Sequence, residues 1–486
     1  MPKRFYITTP IYYINDIPTV GSSYTTIAAD VIARWHRIKG EDVFFLTGLD
    51  ENSQKTVQAA KKLCFDSVQK YADMMAEQWQ KAWKILNISY DGFIRTTEQR
   101  HKDAVYKFFN KVNKKKDIYK GEYKGLYCDS CEGFLTEKEL LNGLCPFHNT
   151  PPKYITEKNY FFKLSKYQKK ILAHIENNPN FIQPESRRNE IINFIKEGLK
   201  DISISRPNLN WGIPLPIDQE QRIYVWFDAL INYISGAEKY WPASIHLVGK
   251  DIIKFHCIIW PGMLLSADYK LPKQEFAHGF LTINGQKMGK SLGNAIDPIY
   301  LSNKYGTDAI RYYLMREIPF GQDGDFSEKA LVNRINGELA NELGNLLSRT
   351  VSMIDNYFKG TLLKGKIDRA LQNELDLKLI DKYVEKLEMH HALDEIFKFI
   401  RAVNRYINEK QPWEIAKKDK KELRDILYNL ADSLRIISIL ISPFMPSTSE
   451  KVNEQLGIKQ GNLKDCKFGL LKRVNIKKGE VLFKKI

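Results

Sequence analysis

Residues 5–46 read as strand, turn, helix and strand, and no other stretch restricts the fold as much. Phe5-Tyr6-Ile7-Thr8-Thr9 favours β structure. Pro10 to Pro18 is rich in turn-forming residues. Within Tyr24 to Lys39, Ile27, Val31, Trp35 and Ile38 recur at helical spacing, and Gly40 stands where a helix end is capped. Val43-Phe44-Phe45-Leu46 is a continuous apolar run, the pattern of a strand buried on both faces. Such a unit belongs to a doubly wound α/β sheet. Its ligands bind where strand C-termini meet helix N-termini, because free backbone N–H groups there favour phosphate. At that edge the chain carries Tyr13, Asn15, Thr19 to Ser23 and, after the next strand, Asp50-Glu51-Asn52.

A length of 486 residues suggests about three domains. The net charge of +16 is spread along the chain, which fits a nucleic-acid partner; a Lys-rich composition alone gives the same balance. No apolar run approaches the roughly 18 residues of a membrane span. Met1-Pro2-Lys3-Arg4 leads directly into the first strand. Neither a membrane protein nor a leader peptide is expected, and the location expected is cytoplasmic. The six cysteines include three close together, which fits a metal site better than a disulfide framework.

The α/β pattern continues to about residue 116, with helices expected over Tyr71 to Leu86 and His101 to Val112. From Ile118 to about Pro207 the chain turns Tyr-, Lys- and Asn-rich, and strand signals then return. Ile223-Tyr224-Val225-Trp226-Phe227 reads as a strand before a helix, and Ile245 to Gly249 and Glu275 to Leu281 as further strands. Alternation on both sides of the insertion implies one split parallel sheet. From about Phe326 the pattern is purely helical. Leu423, Ile426, Leu427, Leu430, Leu434, Ile437 and Ile441 form one stripe, ended by Pro443 and Pro446.

Cys128-x2-Cys131-x13-Cys145-x2-His148 is the strongest local signal. Two turns, each offering two soft ligands, suit one tetrahedral, structural Zn²⁺. Lys287-Met288-Gly289-Lys290-Ser291 resembles a P-loop but is not one: the first glycine of that pattern would fall at Asn284, and Gly285 is one residue too close. Two lysines three apart on a Gly-flanked loop can still reach ATP phosphates and neutralise a departing pyrophosphate; the competing reading is an ordinary surface loop.

Phe276-Ala277-His278-Gly279-Phe280 through Asn294 resembles the KMSKS region of class I aminoacyl-tRNA synthetases. Together with Ile7 to Tyr13, Tyr224 to Tyr233, Gly249-Lys250-Asp251-Ile252 and Phe255-His256, it is similar to the methionyl-tRNA synthetases, in the branch with one zinc knuckle. The resemblance implies a Rossmann-type catalytic domain in two halves (1–116 and 216–292) and an inserted connective domain (117–215) with its knuckle at 127–149. It also implies a stem-contact region (293–350) and an all-α anticodon-binding domain (351–486) with a C-terminal fold-back segment from Gly479. Asp50 would hold the methionine ammonium. Ile11, Tyr13, Trp226, Ala229, Tyr233, Ile252 and His256 would wall its side chain. Gly249 and Asp251 would meet the ATP ribose, with Gly21 and His278 also on the nucleotide. Lys287 and Lys290 would meet the phosphates.

The same resemblance implies ATP with Mg²⁺, initiator and elongator tRNA(Met), and a monomer. Asn345 and Arg349, four apart on one helix face, and Trp413 would read the anticodon. Core packing is the competing reading for Trp226 and Tyr233, and a plug under a loop for Trp413. The chain departs from the family where it has His-x-Gly-His: here stand Thr19-Val20-Gly21-Ser22. Asp-Glu-His-Gly likewise becomes Asp50-Glu51-Asn52-Ser53. Thr19 and Ser22 are the expected hydroxyl replacements at the phosphates. The alternative is a tRNA-binding pseudo-synthetase without efficient adenylation.

Overall fold

The computed structural model describes residues 2–129, 133–146, 149–207, 209–283, 285–288 and 294–486. β1 (Arg4–Tyr13), α1 (Val20–Ile38) and β2 (Asp42–Asp50) form the expected unit, with β1 and β2 parallel. The central sheet runs in the order Gly92–Arg95, β2, β1, Ile245–Gly249, Glu275–His278, Ile182–Gln183, all parallel. The chain moves outward from β1 on one side and returns on the other. A crevice therefore opens at the C-terminal ends of β1 and Ile245–Gly249.

α1 starts four residues before the expected Tyr24, because Thr19 caps it. The Thr19 side chain accepts from the Ser22 N–H at 3.5 Å, and Ser22 Oγ accepts from the Thr19 N–H at 2.9 Å. At the other end Gly40 has φ +85°, a left-handed conformation that suits glycine.

The insertion builds its own antiparallel sheet, in the order Gly133–Leu135, Ile118–Cys128, Lys153–Phe162, Ile202–Ser203. It also lends Ile182–Gln183 to the edge of the central sheet, a piece too short for any sequence pattern.

Three expectations change. The strand expected over 223–227 lies at Asp218–Ile223, and Val225–Ala229 is helical. It pairs with Ser205–Pro207 and Pro214–Leu215 rather than with the central sheet. A five-residue apolar run does not discriminate a strand from a buried helical turn. The strand expected over 275–281 breaks at Gly279: Glu275–His278 stays in the central sheet, while Leu281–Ile283 pairs with Gln286–Lys287 and Gly324–Asp325. A Cβ on Gly279 would lie 2.3 Å from the Gln322 backbone, so glycine permits this approach. Finally, the helical part holds one antiparallel strand pair, Thr361–Leu363 with Arg473–Asn475. Beyond it the last segment folds back: Gln455 Nε2 donates to the Glu480 carbonyl, and Asn336 exchanges two hydrogen bonds with Ile486.

One apolar core runs from α1 into the stripe of Lys420–Ile441. Arg311, 0% exposed, pins that joint. It donates to Asp30 Oδ2 of α1 (2.6 Å) and to the carbonyls of Pro443 (2.9 Å), Phe444 (2.9 Å) and Leu86 (3.2 Å). Burial pushes the Asp30 carboxyl up, but Arg311 and Arg34 beside it hold it below its usual value. Near the C-terminal end of α1, Trp35 Nε1 donates to Asp381 Oδ1 at 2.8 Å. α1 is thus a rod of about 28 Å fixed to the helical bundle at one end and open to the crevice at the other.

Candidate active site

The crevice is a cleft of about 1410 Å³. It brings together Ile11, Tyr13 and Asp50 from the ends of β1 and β2, and Gly21 and Ser22 from the start of α1. Trp226, Ala229 and Tyr233 come from the helical turns after residue 224, Gly249, Asp251, Ile252 and His256 from the segment after the fourth sheet strand, and His278 from the fifth. Thr19 sits beside it as the cap of α1. Of Lys287 only the backbone is described, in the short strand Gln286–Lys287, and Lys290 lies outside the described residues.

On one side the cleft is aromatic. Trp226 stacks on Phe255 with centroids 3.7 Å apart and planes 12° apart. His256 Nδ1 lies 3.0 Å from the Ile252 carbonyl, which fixes the proton there, so Nε2 accepts from the Tyr233 hydroxyl at 2.7 Å. Burial pushes the imidazole down to about 4 and the Tyr233 hydroxyl well above its ordinary value. The pair is therefore neutral near pH 7: an apolar wall with one polar tip, which suits a polarizable, uncharged side chain. Asp50, 4% exposed, ends β2 and lines the cleft.

The other side carries the N-terminus of α1 and His278. Thr25 Oγ1 is 2.6 Å from His278 Nε2, and His278 Nδ1 is 2.8 Å from the Gly279 carbonyl. Burial lowers this histidine too, and both its ring nitrogens are engaged. Each residue that departs from the expected motif here has a local partner. Ser22 Oγ donates to the Thr19 carbonyl at 2.9 Å, closing the capping box. Asn52 Nδ2 donates to Asp228 Oδ2 at 3.0 Å. Ser53 caps the helix Gln54–Lys62 by accepting from the Thr56 N–H. Trp211 Nε1 donates to the Glu51 carbonyl at 2.7 Å.

Tyr24, Thr25 and Phe255 also line the cleft, and sequence reasoning passed over them. The signal was there for two. Thr25 is four residues from Gly21, hence on the same helix face, and Phe255 precedes His256.

Away from the cleft, Cys128 and Cys145 are both buried and meet at Thr150. Cys128 Sγ lies 3.9 Å from Thr150 Oγ1, and the Cys145 N–H donates to the Thr150 carbonyl at 2.9 Å. Cys131 and His148 lie outside the described residues; among the described residues no group of three or more metal-ligating side chains occurs. In the bundle, Asn345 opens the helix Asn345–Phe358 and is exposed. On the same helix, Arg349 donates to Asn408 Oδ1 at 3.1 Å. Trp413 is 40% exposed on Pro412–Ile415, so it does not plug a loop. Among the described residues no helix is long and apolar enough to cross a membrane.

Residues 5–151 and 137–351 match the sequence family described as tRNA synthetases class I (M), and residues 374–468 match the anticodon-binding domain of tRNA ligase. The methionine–tRNA ligase of Caldanaerobacter subterraneus subsp. tengcongensis is 51% identical, covering 100% of this chain and 79% of the relative. That of Bacillus subtilis is 46% identical with the same coverage. The Mycobacterium tuberculosis methionyl-tRNA synthetase in complex with methionyl-adenylate superposes with a TM-score of 0.95 at 39% identity, covering 99% of both chains. Its apo form gives 0.88 at 37% identity, covering 100% of this chain and 99% of that one. A match over the whole length, on a class I cleft with an aromatic pocket beside the α1 N-terminus, places this chain in the methionyl-tRNA synthetase family.

Proposed function

We propose that this chain is a methionine–tRNA ligase that activates methionine with ATP and charges tRNA(Met), initiator and elongator alike. The observation that carries this is the neutral Tyr233–His256 pair beside the Trp226–Phe255 stack, in a cleft continuous with the N-terminus of α1. A thioether needs dispersion from aromatic walls and tolerates one polar tip, whereas a charged side chain would find no counter-charge at that pair. Asp50 holds the ammonium, and Ile11, Tyr13, Ala229 and Ile252 complete the pocket.

The methionine carboxylate oxygen bonds to the ATP α-phosphorus, and the bond from that phosphorus to the β-bridging oxygen breaks. Methionyl-adenylate and pyrophosphate result. Gly21, Gly249, Asp251 and His278 seat the nucleotide, and Mg²⁺ accompanies ATP as substrate. Lys287 and Lys290 neutralise the charge that grows on the leaving pyrophosphate, and the α1 N-terminus offers N–H groups to the phosphates. In the second step the tRNA terminal ribose hydroxyl attacks the adenylate carbonyl, the ester forms and AMP departs. Asn345 and Arg349 hydrogen-bond unpaired anticodon bases, and Trp413 stacks on one.

Two buried cysteines on separate turns, one touching Thr150 through its thiol and the other through its backbone N–H, fit a zinc knuckle. Cys128, Cys131, Cys145 and His148 would hold one Zn²⁺, which supplies a structural clasp rather than chemistry. A cytoplasmic monomer completes the proposal.

Charging of tRNA(Met) transcripts with labelled methionine tests it. Methionine-specific, ATP-dependent charging is expected. The closed capping box of Thr19 and Ser22 favours a second reading, a tRNA-binding protein with weak adenylation; tRNA(Met) binding without charging would establish that instead.

A further inference from the structure

The fifth strand of the central sheet carries an acid where a strand buried on both faces ordinarily carries an apolar side chain. Glu275 is 0% exposed, and neither carboxyl oxygen has a hydrogen-bond partner among the described residues. Opposite it in register, on the neighbouring parallel strand, is His246. Paired residues of adjacent parallel strands project to the same face at a strand spacing of about 4.8 Å. His246 is equally buried. Its Nδ1 lies 2.6 Å from Thr8 Oγ1, while Nε2 has no partner among the described residues. Its ring lies 4.1 Å, centroid to centroid, from that of Tyr233. The indole N–H of Trp260, whose ring is 6.1 Å from Tyr233, is also without a partner among the described residues. Because Glu275 pairs in register with His246 and His246 packs on Tyr233, Glu275 projects from the face of the sheet on which Tyr233 lies.

Three unpartnered polar groups in one apolar layer are destabilising unless they serve a common arrangement. We propose that Glu275 is a positioning residue for methionine recognition: joined to His246 through one buried water, it fixes that imidazole against Tyr233 and so holds the Tyr233–His256 hydrogen bond in the pocket. This rests on the functional reading above. Burial pushes the Glu275 carboxyl well above its ordinary value; in this arrangement its protonated form donates to the water, and the water donates to His246 Nε2. His246 then carries its proton on Nδ1, which donates to Thr8. Tyr233 is held on two sides, by His246 behind its ring and by His256 at its hydroxyl. Glu275 touches no substrate and acts only through this chain.

The test uses the full chain and the variants Glu275→Gln, Glu275→Leu, His246→Leu and the Leu/Leu double variant. Methionine affinity is read by tryptophan fluorescence, KM and kcat by ATP–pyrophosphate exchange, and Tm by calorimetry. Glu275→Gln keeps a donor and an acceptor and should bind methionine within about twofold of wild type. Glu275→Leu should raise Kd and KM about fivefold, the factor one net hydrogen bond is worth, with kcat nearly unchanged and Tm equal or higher. His246→Leu should lose as much, and the double variant no more than either. Glu275→Leu with wild-type affinity overturns the inference alone. So does Glu275→Gln losing as much as Glu275→Leu, or a double variant whose losses multiply. A wild-type protein that binds no methionine overturns the functional reading and this inference with it.

Discussion

Ser22→Ala separates the two uses of the hydroxyl that stands where the family has its second motif histidine. In the structure Ser22 Oγ accepts from the Thr19 N–H and donates to the Thr19 carbonyl, both at 2.9 Å, whereas the bond from the Ser22 N–H to Thr19 Oγ1 is long at 3.5 Å. The stronger half of the capping box is therefore on Ser22. Its removal should destabilise the protein by about 1 kcal/mol, and Thr19→Val by less. Reaching a phosphate oxygen requires the Ser22 hydroxyl to leave the Thr19 carbonyl. A charge-assisted bond of about 1.5–3 kcal/mol replaces a neutral one of about 1 kcal/mol. The net gain is about 1 kcal/mol, so Ser22→Ala should slow ATP–pyrophosphate exchange about fivefold rather than the hundredfold or more expected on losing a pre-aimed donor. Urea unfolding and exchange on the same preparation read both. A loss of stability with an unchanged exchange rate would make Ser22 a cap only; a fall of a hundredfold would refute the argument that the hydroxyl is engaged elsewhere before ATP arrives.

Trp413→Ala should weaken tRNA(Met) charging by about 1–3 kcal/mol through lost stacking while leaving exchange unchanged; a parallel fall in both rates would make the residue structural. Lys287→Ala and Lys290→Ala should lower the exchange rate with little change in methionine affinity, checked by fluorescence titration and pre-steady-state exchange. Elemental analysis of metal-replete protein should give about one zinc per chain, and Cys128→Ser should release it and loosen the knuckle to proteolysis. Methionine affinity should be flat between about pH 6 and 8, because burial pushes His256 down to about 4. The same depressed value makes a contribution to stability that is complete above the unfolded histidine pKa of about 6.5 and is lost as pH falls toward 4. An affinity that titrates near pH 6.5 would mean that the pocket histidine is not buried and neutral.

The βαβ opening was legible because Ile27, Val31 and Trp35 repeat at helical spacing between two apolar strands, and the bundle because Leu423 to Ile441 repeats without interruption. The run Ile223 to Phe227 misled because β-branched and aromatic residues in five apolar positions carry no period. Ile182–Gln183 and the pairing of Thr361–Leu363 with Arg473–Asn475 left no local trace, since two- and three-residue strands are set by the partner they find. The cleft was legible through motif residues, but their bonding was not. Thr19 and Ser22 read as phosphate donors and are also each other's capping partners. The Asp30–Arg311 pair joins residues 281 apart in sequence, and only packing reveals it.

The account turns on whether a cleft with Thr19 and Ser22 in place of the motif histidines still forms an aminoacyl-adenylate. Methionine-dependent ATP–pyrophosphate exchange by the purified full chain measures that step with no contribution from tRNA. Exchange is expected with methionine and not with leucine or isoleucine. No exchange at any methionine concentration, from protein that retains a cooperative fold and binds tRNA(Met), would contradict it.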